Sequence, residues 1–305
     1  MSPSGIVALG AVLALAPALP GVATRTRSLL TGRRGPPVLQ LYFELAKLLR
    51  KRAVVSEATG AVFRAAPVVG LVGLVIAAGL LPLDGRTAIG GFAGDFLLFA
   101  GLLAVGRFAV MLAAFDTGSS FEGMGASREA MVGAFVEGAL LLVFAALALA
   151  TGGASLQTML GPPLAGAWRA QWPALTMLGL AVFVLLLAEA ARVPVDDPAT
   201  HLELTMIHEV TILDHSGPDL ALLLYGASLK FALLAALVAG VTVPLVPRSS
   251  ALALLALLGQ LVLVAVAVGG VEAAMARLRL TRIPQLLLAV TALVTFATIL
   301  LLRRA

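Results

Sequence analysis

Carboxylates and amines at membrane depth are the residues of this chain that could do chemistry. Glu137 and Glu189 fall inside or at the end of long apolar runs, Lys230 is deep within another, and Asp95 and Arg107 share a third. Ionisable groups in such runs are expensive and face a polar interior or a partner. Burial raises the pKa of a carboxyl group, so a buried Glu can alternate between neutral and charged forms, which is what a proton relay needs. Paired differently, the same groups would be structural ion pairs. The second chemical segment is EAARVPVDDPATHLELTMIHEVTILDHSGPD, residues 189–219, which holds all three histidines, His201, His208 and His215. Asp197 and Pro198 read as an N-cap and first helical position, and Ser216-Gly217-Pro218 as a stop. Between them the pattern predicts a helix of about four turns with the histidines on one stripe and Glu203 and Asp214 on roughly the opposite one. Residues seven apart lie about 10 Å apart along a helix, too far to share one metal ion.

The elements that position these groups are set by composition. Of 305 residues, 60% are hydrophobic and 12% charged, with 31 further glycines. Soluble domains carry about twice that charge, and a soluble core of this size cannot cover so much apolar surface. Soluble enzymes, disordered chains and nucleic-acid modules are thereby excluded. A membrane span needs about 20 apolar residues; eight stretches qualify, at about 5–24, 61–83, 91–114, 129–150, 172–191, 219–240, 250–271 and 283–302. The first lacks the basic leading region of a signal peptide and reads as a retained span. The expected fold is an all-α membrane protein, one integral membrane domain over 1–305, with about eight spans.

Loop charge predicts orientation. The loops at about 25–60, 115–128, 192–218 and 272–282, with Arg64 beside the first, hold fourteen Lys and Arg; the opposite side holds five, at Arg86, Arg169, Arg248, Arg303 and Arg304. The basic side faces the cytoplasm, which puts both termini outside. Within the first loop, Leu41, Leu45 and Leu48 share one helical face and Glu44, Lys47 and Lys51 another, the pattern of an amphipathic helix at the interface. A second cytoplasmic helix is expected in 192–218.

There is no cysteine, so the chain cannot ligate an iron–sulfur cluster or a nickel–iron centre through thiolates. No P-loop and no dinucleotide fingerprint in a strand–turn–helix context is present, and no catalytic residue is assigned. Inverted repeats and broken midplane helices, the marks of a stand-alone secondary transporter, are not visible.

Two long segments carry a resemblance. RVPVDDPATHLELTMIHEVTILDHSGPDLALLLYGASLK and FDTGSSFEGMGASREAMVGAFVEG are similar to the formate hydrogenlyase subunit 4 and hydrogenase-4 component C family, which is related to complex I subunit 1. Gly35-Pro36, Leu39-Gln40 and Lys47-Leu48 resemble the first-loop pattern of complex I subunit 1. Arg128 with Glu137, the run Glu189, Arg192, Pro194, Asp196, Pro198 and Glu203, Asp214 with Ser216-Gly217, and Asp95 follow that subunit too. His201 stands where that run has an acid, and Asp214-His215 replaces Glu-Tyr. The resemblance implies a non-catalytic membrane subunit that docks a nickel–iron and iron–sulfur arm, hydrogenase-like large and small subunits, beside antiporter-like membrane subunits in a bacterial inner membrane. It implies a proton relay through Glu137, Glu189, Lys230, Glu203 and Asp214, and a partner interface or cavity at Arg128, Arg192, Asp196, His201, His208, Glu209 and His215. A quinone-reactive, complex I-like role and a stand-alone transporter are the alternatives.

Overall fold

The computed structural model describes residues 3–85, 88–197, 206–244 and 249–303. Pro198, His201 and Glu203 lie outside the described residues, as do Arg86, Arg248 and Arg304. Among those described the chain is helical throughout, in the order α1 (Pro3–Leu15), α2 (Ala18–Leu30), α3 (Gln40–Leu49), α4 (Ala61–Leu80), α5 (Asp95–Asp116), α6 (Ser120–Thr151), α7 (Leu156–Leu160), α8 (Pro162–Glu189), α9 (His208–Thr211), α10 (Gly217–Thr242), α11 (Ser250–Ala274) and α12 (Ile283–Leu302). Seven of the helical segments are long and apolar enough to cross a membrane, with α1 and α2 together as an eighth candidate.

Three expected spans differ in ways their sequences explain. The run at 5–24 is two helices bent by 50°. Pro17 precedes α2 and Pro20 lies in its first turn; proline lacks an N–H and restricts the residue before it, so the helix breaks there. The fourth span begins at Ser120 rather than near 129, because the polar stretch FEGMGASRE continues the helix. The fifth is helical from Pro162, but its backbone departs from helical geometry at Gln171, before Pro173, close to the expected start at 172.

Helix α10 is buried on all sides, from Leu229 and Phe231 to Leu237 and Val241, as a central helix must be. It packs on α4, α8 and α11; α5 packs on α4 and α6, and α6 on α8 and α12. Four helices, α5, α6, α8 and α10, can therefore point side chains at one another inside the bundle.

The segments 31–60 and 190–216 meet on one face. The Val54 N–H donates to Ser216 Oγ at 2.8 Å, and the Ser216 hydroxyl donates back to the Val54 carbonyl at 2.9 Å. In the first segment α3 holds Leu41, Leu45 and Leu48 on its less exposed side, as expected of an amphipathic helix. The second differs from expectation. Its described helix, α9, has a single turn, His208–Thr211, instead of four. His215 lies beyond that turn, so His208 and His215 do not share a helical stripe. The reason is tertiary: the Asp196 carboxylate accepts the N–H groups of Ile207 and His208 at 3.1 and 3.2 Å, which ties the start of α9 to the preceding loop.

Candidate functional site

Arg107 lies midway along α5, a position lipid does not tolerate without partners. Its Nη2 is 2.6 Å from both carboxylate oxygens of Glu189, the last residue of α8. Its Nη1 donates to Glu137 Oε1 on α6 at 2.7 Å, and its Nε is 3.9 Å from Glu129 Oε1, also on α6. Lys230, midway along α10, brings its Nζ to 3.6 Å from Glu189 Oε1. Two cations and three carboxylates from four helices thus form one cluster. Burial grades across it: the Glu189 side chain is 3% exposed and that of Glu137 42%.

Helix α6 supplies the acids by spacing. Glu122, Glu129 and Glu137 are seven and eight residues apart, which places them on one helical face. Gly133 lies on the same face, four residues from Glu129 and from Glu137. A side chain there would overlap Nη1 of Arg107 and meet its Cδ at 2.9 Å; the glycine makes room for the guanidinium. Gly125 does the same for α9, since a Cβ would lie 2.9 Å from the Thr211 backbone nitrogen.

The expected relay residues separate. Glu137, Glu189 and Lys230 come together around Arg107, which the sequence marked only as a membrane-depth charge. Asp214 is exposed and apart; its N–H donates to Glu122 Oε1 at 2.9 Å. The expected interface residues are largely committed within the chain. Arg128 donates to the Met206 carbonyl at 2.7 Å. Arg192 pairs with Glu272 at 3.3 Å and lies 5.5 Å over the Phe231 ring. Asp196 pairs with Arg277 at 3.0 Å, and Asp197 with Arg27 at 3.0 Å. His215 stacks on Phe63 with ring centroids 3.9 Å apart and planes within 7°. Asp95 is fully buried and accepts the Leu156 N–H at 2.7 Å, a structural cap.

Glu122, Glu129 and Glu272 are buried or half-buried acids the sequence reading missed. The seven- and eight-residue spacing on α6 is the signal that finds the first two. Glu272, near the end of α11, has no such signal; only the fold brings it to Arg192.

Three openings reach these groups. A cavity of about 60 Å³ is lined by Arg107, Glu129, Lys230 and His208. One of about 190 Å³ on the 190–216 side is lined by Arg192, Asp196, His208 and Glu209. An open groove of about 380 Å³ between α5 and α6 exposes Glu137 beside Phe108 and Met111. Burial is the main cause holding the His208 imidazole below its ordinary range; Lys230 acts in the same direction, and Glu129, Asp196 and Glu189 oppose it. Among the described residues, no cluster of three or more His, Asp or Glu is placed to hold a metal ion.

Known proteins resemble this chain in sequence or in fold. Hydrogenase-4 component C of Escherichia coli (strain K12) is 33% identical over 254 residues, covering 82% of this chain and 78% of that protein. Formate hydrogenlyase subunit 4 of the same organism is 31% identical over 281 residues, covering 90% of each. A chain of the membrane-bound sulfane sulfur reductase, an archaeal respiratory membrane complex, superposes with a TM-score of 0.79 over 98% of both chains at 17% identity; that likeness is one of fold. The NADH dehydrogenase family model matches residues 4–303. This multi-pass membrane chain therefore belongs to the NADH dehydrogenase family, in its complex I subunit 1-like group, with hydrogenase-4 component C and formate hydrogenlyase subunit 4 among its relatives.

Proposed function

We propose that this chain is the membrane subunit of a hydrogenase- or formate hydrogenlyase-type respiratory complex in the bacterial inner membrane, where it seats a peripheral redox arm and couples that arm to proton movement. The observation that carries the reading is the cluster around Arg107. Glu129, Glu137 and Glu189 set against Arg107 and Lys230 give a formal sum of −3 + 2 = −1 when all are ionised. A cluster built only to anchor helices would balance. A surplus negative charge at membrane depth is costly to hold, and one proton neutralises it.

The parts have distinct roles. Glu189 is the enclosed relay group, held between both cations. Glu137 is the exit group, half-exposed in the groove between α5 and α6 where a neighbouring antiporter-like membrane subunit would sit. Asp214 and Glu209, backed by the internally committed Arg128, Arg192, Asp196, His208 and His215, belong to the side that meets the arm, the basic side and hence the cytoplasmic one; Glu203 and His201 are assigned the same role from the sequence alone. The relatives' names, a hydrogenase component and a formate hydrogenlyase subunit, support a hydrogenase-like large and small subunit as that arm. Nickel–iron and iron–sulfur centres would reside there, because this chain has no cysteine to ligate them.

The test is purification through a tag on this chain, followed by reconstitution. The proposal expects cluster-bearing partners to co-purify, and Glu189→Gln to keep them while reducing proton uptake. A chain that purifies alone and transports a solute would instead be a transporter. Turnover that depends on added quinone would favour a quinone-reactive, complex I-like role.

A further inference from the structure

Two of the cavities meet at one wall. The cavity on the 190–216 side and the smaller one at the charge cluster share two lining residues, His208 and Ala227. The Ala227 methyl can neither take nor give a proton, so His208 is the shared residue with chemistry. The smaller cavity, of about 60 Å³, has room for a few waters at about 10–15 Å³ each, and it ends at Arg107, Glu129 and Lys230.

The histidine lines both cavities and has an unserved ring nitrogen. Its Nε2 is shut from solvent and has no hydrogen-bond partner, which is costly for a ring nitrogen unless water or a proton donor serves it. Its backbone is fixed: the His208 main-chain N–H donates to the Asp196 carboxylate, which Arg277 holds in turn. Charged groups bear on it from several elements: Glu129 on α6, Glu189 on α8, Lys230 on α10 and Asp196 in the loop; α5, which also packs on α9, brings Arg107 to the wall of the same small cavity. Burial favours the neutral ring, which presents one N–H and one lone pair.

We propose that His208 hands protons between the loop-side cavity and the charge cluster. The neutral ring accepts a proton on its bare nitrogen from a water or acid in one cavity. The imidazolium then releases the proton of its other nitrogen to water or a Glu129 carboxylate in the other cavity. One N–H bond forms, one breaks, and the ring returns neutral as the other tautomer. Rotation of the ring resets it.

This inference rests on the proton-coupling reading above, so the experiment carries a control for that reading. Protons moved per redox turnover are measured with the intact complex in inside-out vesicles, for the wild type, Glu137→Gln, His208→Gln and His208→Ala. Glutamine keeps hydrogen-bonding capacity but does not titrate. The ratio is expected to fall about a hundredfold or more in His208→Gln, the low end of what a lost acid–base group costs, and in His208→Ala to be partly restored by free imidazole. A wild-type ratio in an assembled His208→Gln complex, with Glu137→Gln impaired, overturns the role of His208 and leaves coupling intact. A loss that imidazole does not relieve shows that the ring only props the loop, and also overturns it. Wild-type ratios in both Glu137→Gln and His208→Gln overturn the coupling reading and His208 with it.

Discussion

Arg107 and Glu189, 82 residues apart in sequence, meet through one guanidinium nitrogen placed 2.6 Å from both carboxylate oxygens. Neither side chain is more than 5% exposed. Breaking a buried pair from one side costs about 3–5 kcal/mol, whereas removing both partners costs far less. Arg107→Leu and Glu189→Leu are each expected to lower the detergent melting temperature of the complex strongly. The double variant is expected to lie closer to wild type than the sum of the two. A strictly additive pair would remove the mutual dependence inferred here.

Gly133 tests how tightly Arg107 is placed. An added methyl overlaps the guanidinium, and overpacking typically costs about 1–3 kcal/mol. Gly133→Ala is expected to loosen the contact with Glu137 and lower proton uptake per turnover while the complex still assembles. Gly138→Ala, where a Cβ meets nothing within 4 Å, is the matched control and is expected to leave both unchanged.

His215 makes the junction of the 31–60 and 190–216 segments sensitive to pH. Burial holds its imidazole below the ordinary 6.5, with Asp219 and Asp214 opposing the shift. The opened state therefore binds more protons than the closed one between the two values. The closed junction is at full stability above about pH 6.5 and weakens as pH falls towards the depressed value, by no more than about 1.4 kcal/mol per pH unit. Hydrogen-exchange protection at 53–63 and 212–217, corrected for the intrinsic pH dependence of amide exchange, is expected to fall between pH 7.5 and 5.5. His215→Phe, which keeps the stack on Phe63, is expected to abolish that change.

Asp196 holds the loop against α9 and Arg277 together. Asp196→Asn loses the charge on Arg277 but retains an acceptor for the Ile207 and His208 N–H groups. Asp196→Ala loses both functions. Protease cleavage within 190–216 is expected to rise modestly in the first and markedly in the second, because unsatisfied buried N–H groups cost about 1–3 kcal/mol.

The spans were legible because lipid imposes long apolar runs; the bend before α2 and the break at Gln171 were not read, although proline stands at each. Glu137, Glu189 and Lys230 stood out for the same reason, as charges among Leu, Val and Ala. What sequence spacing does not carry is pairing across helices: that Arg107 is the hub, or that Arg192 faces Glu272. Glu129 was readable in principle from its face on α6, but it fell on the first residue of the expected span and was not singled out. The long helix expected for 192–218 failed over its described part because local periodicity gave way to a tertiary tie, Asp196 on the start of α9. For His201 and Glu203, outside the described residues, the sequence reading stands alone.

The most direct measurement is the number of protons moved per redox turnover by the assembled complex with Glu137→Gln, which removes one of the three acids while Arg107 keeps Glu189 as its partner. The surplus charge then disappears, −2 + 2 = 0. The ratio is predicted to fall about a hundredfold or more while the complex remains intact and redox turnover continues. An unchanged ratio in an intact, active complex would contradict the assignment of this cluster as a proton relay.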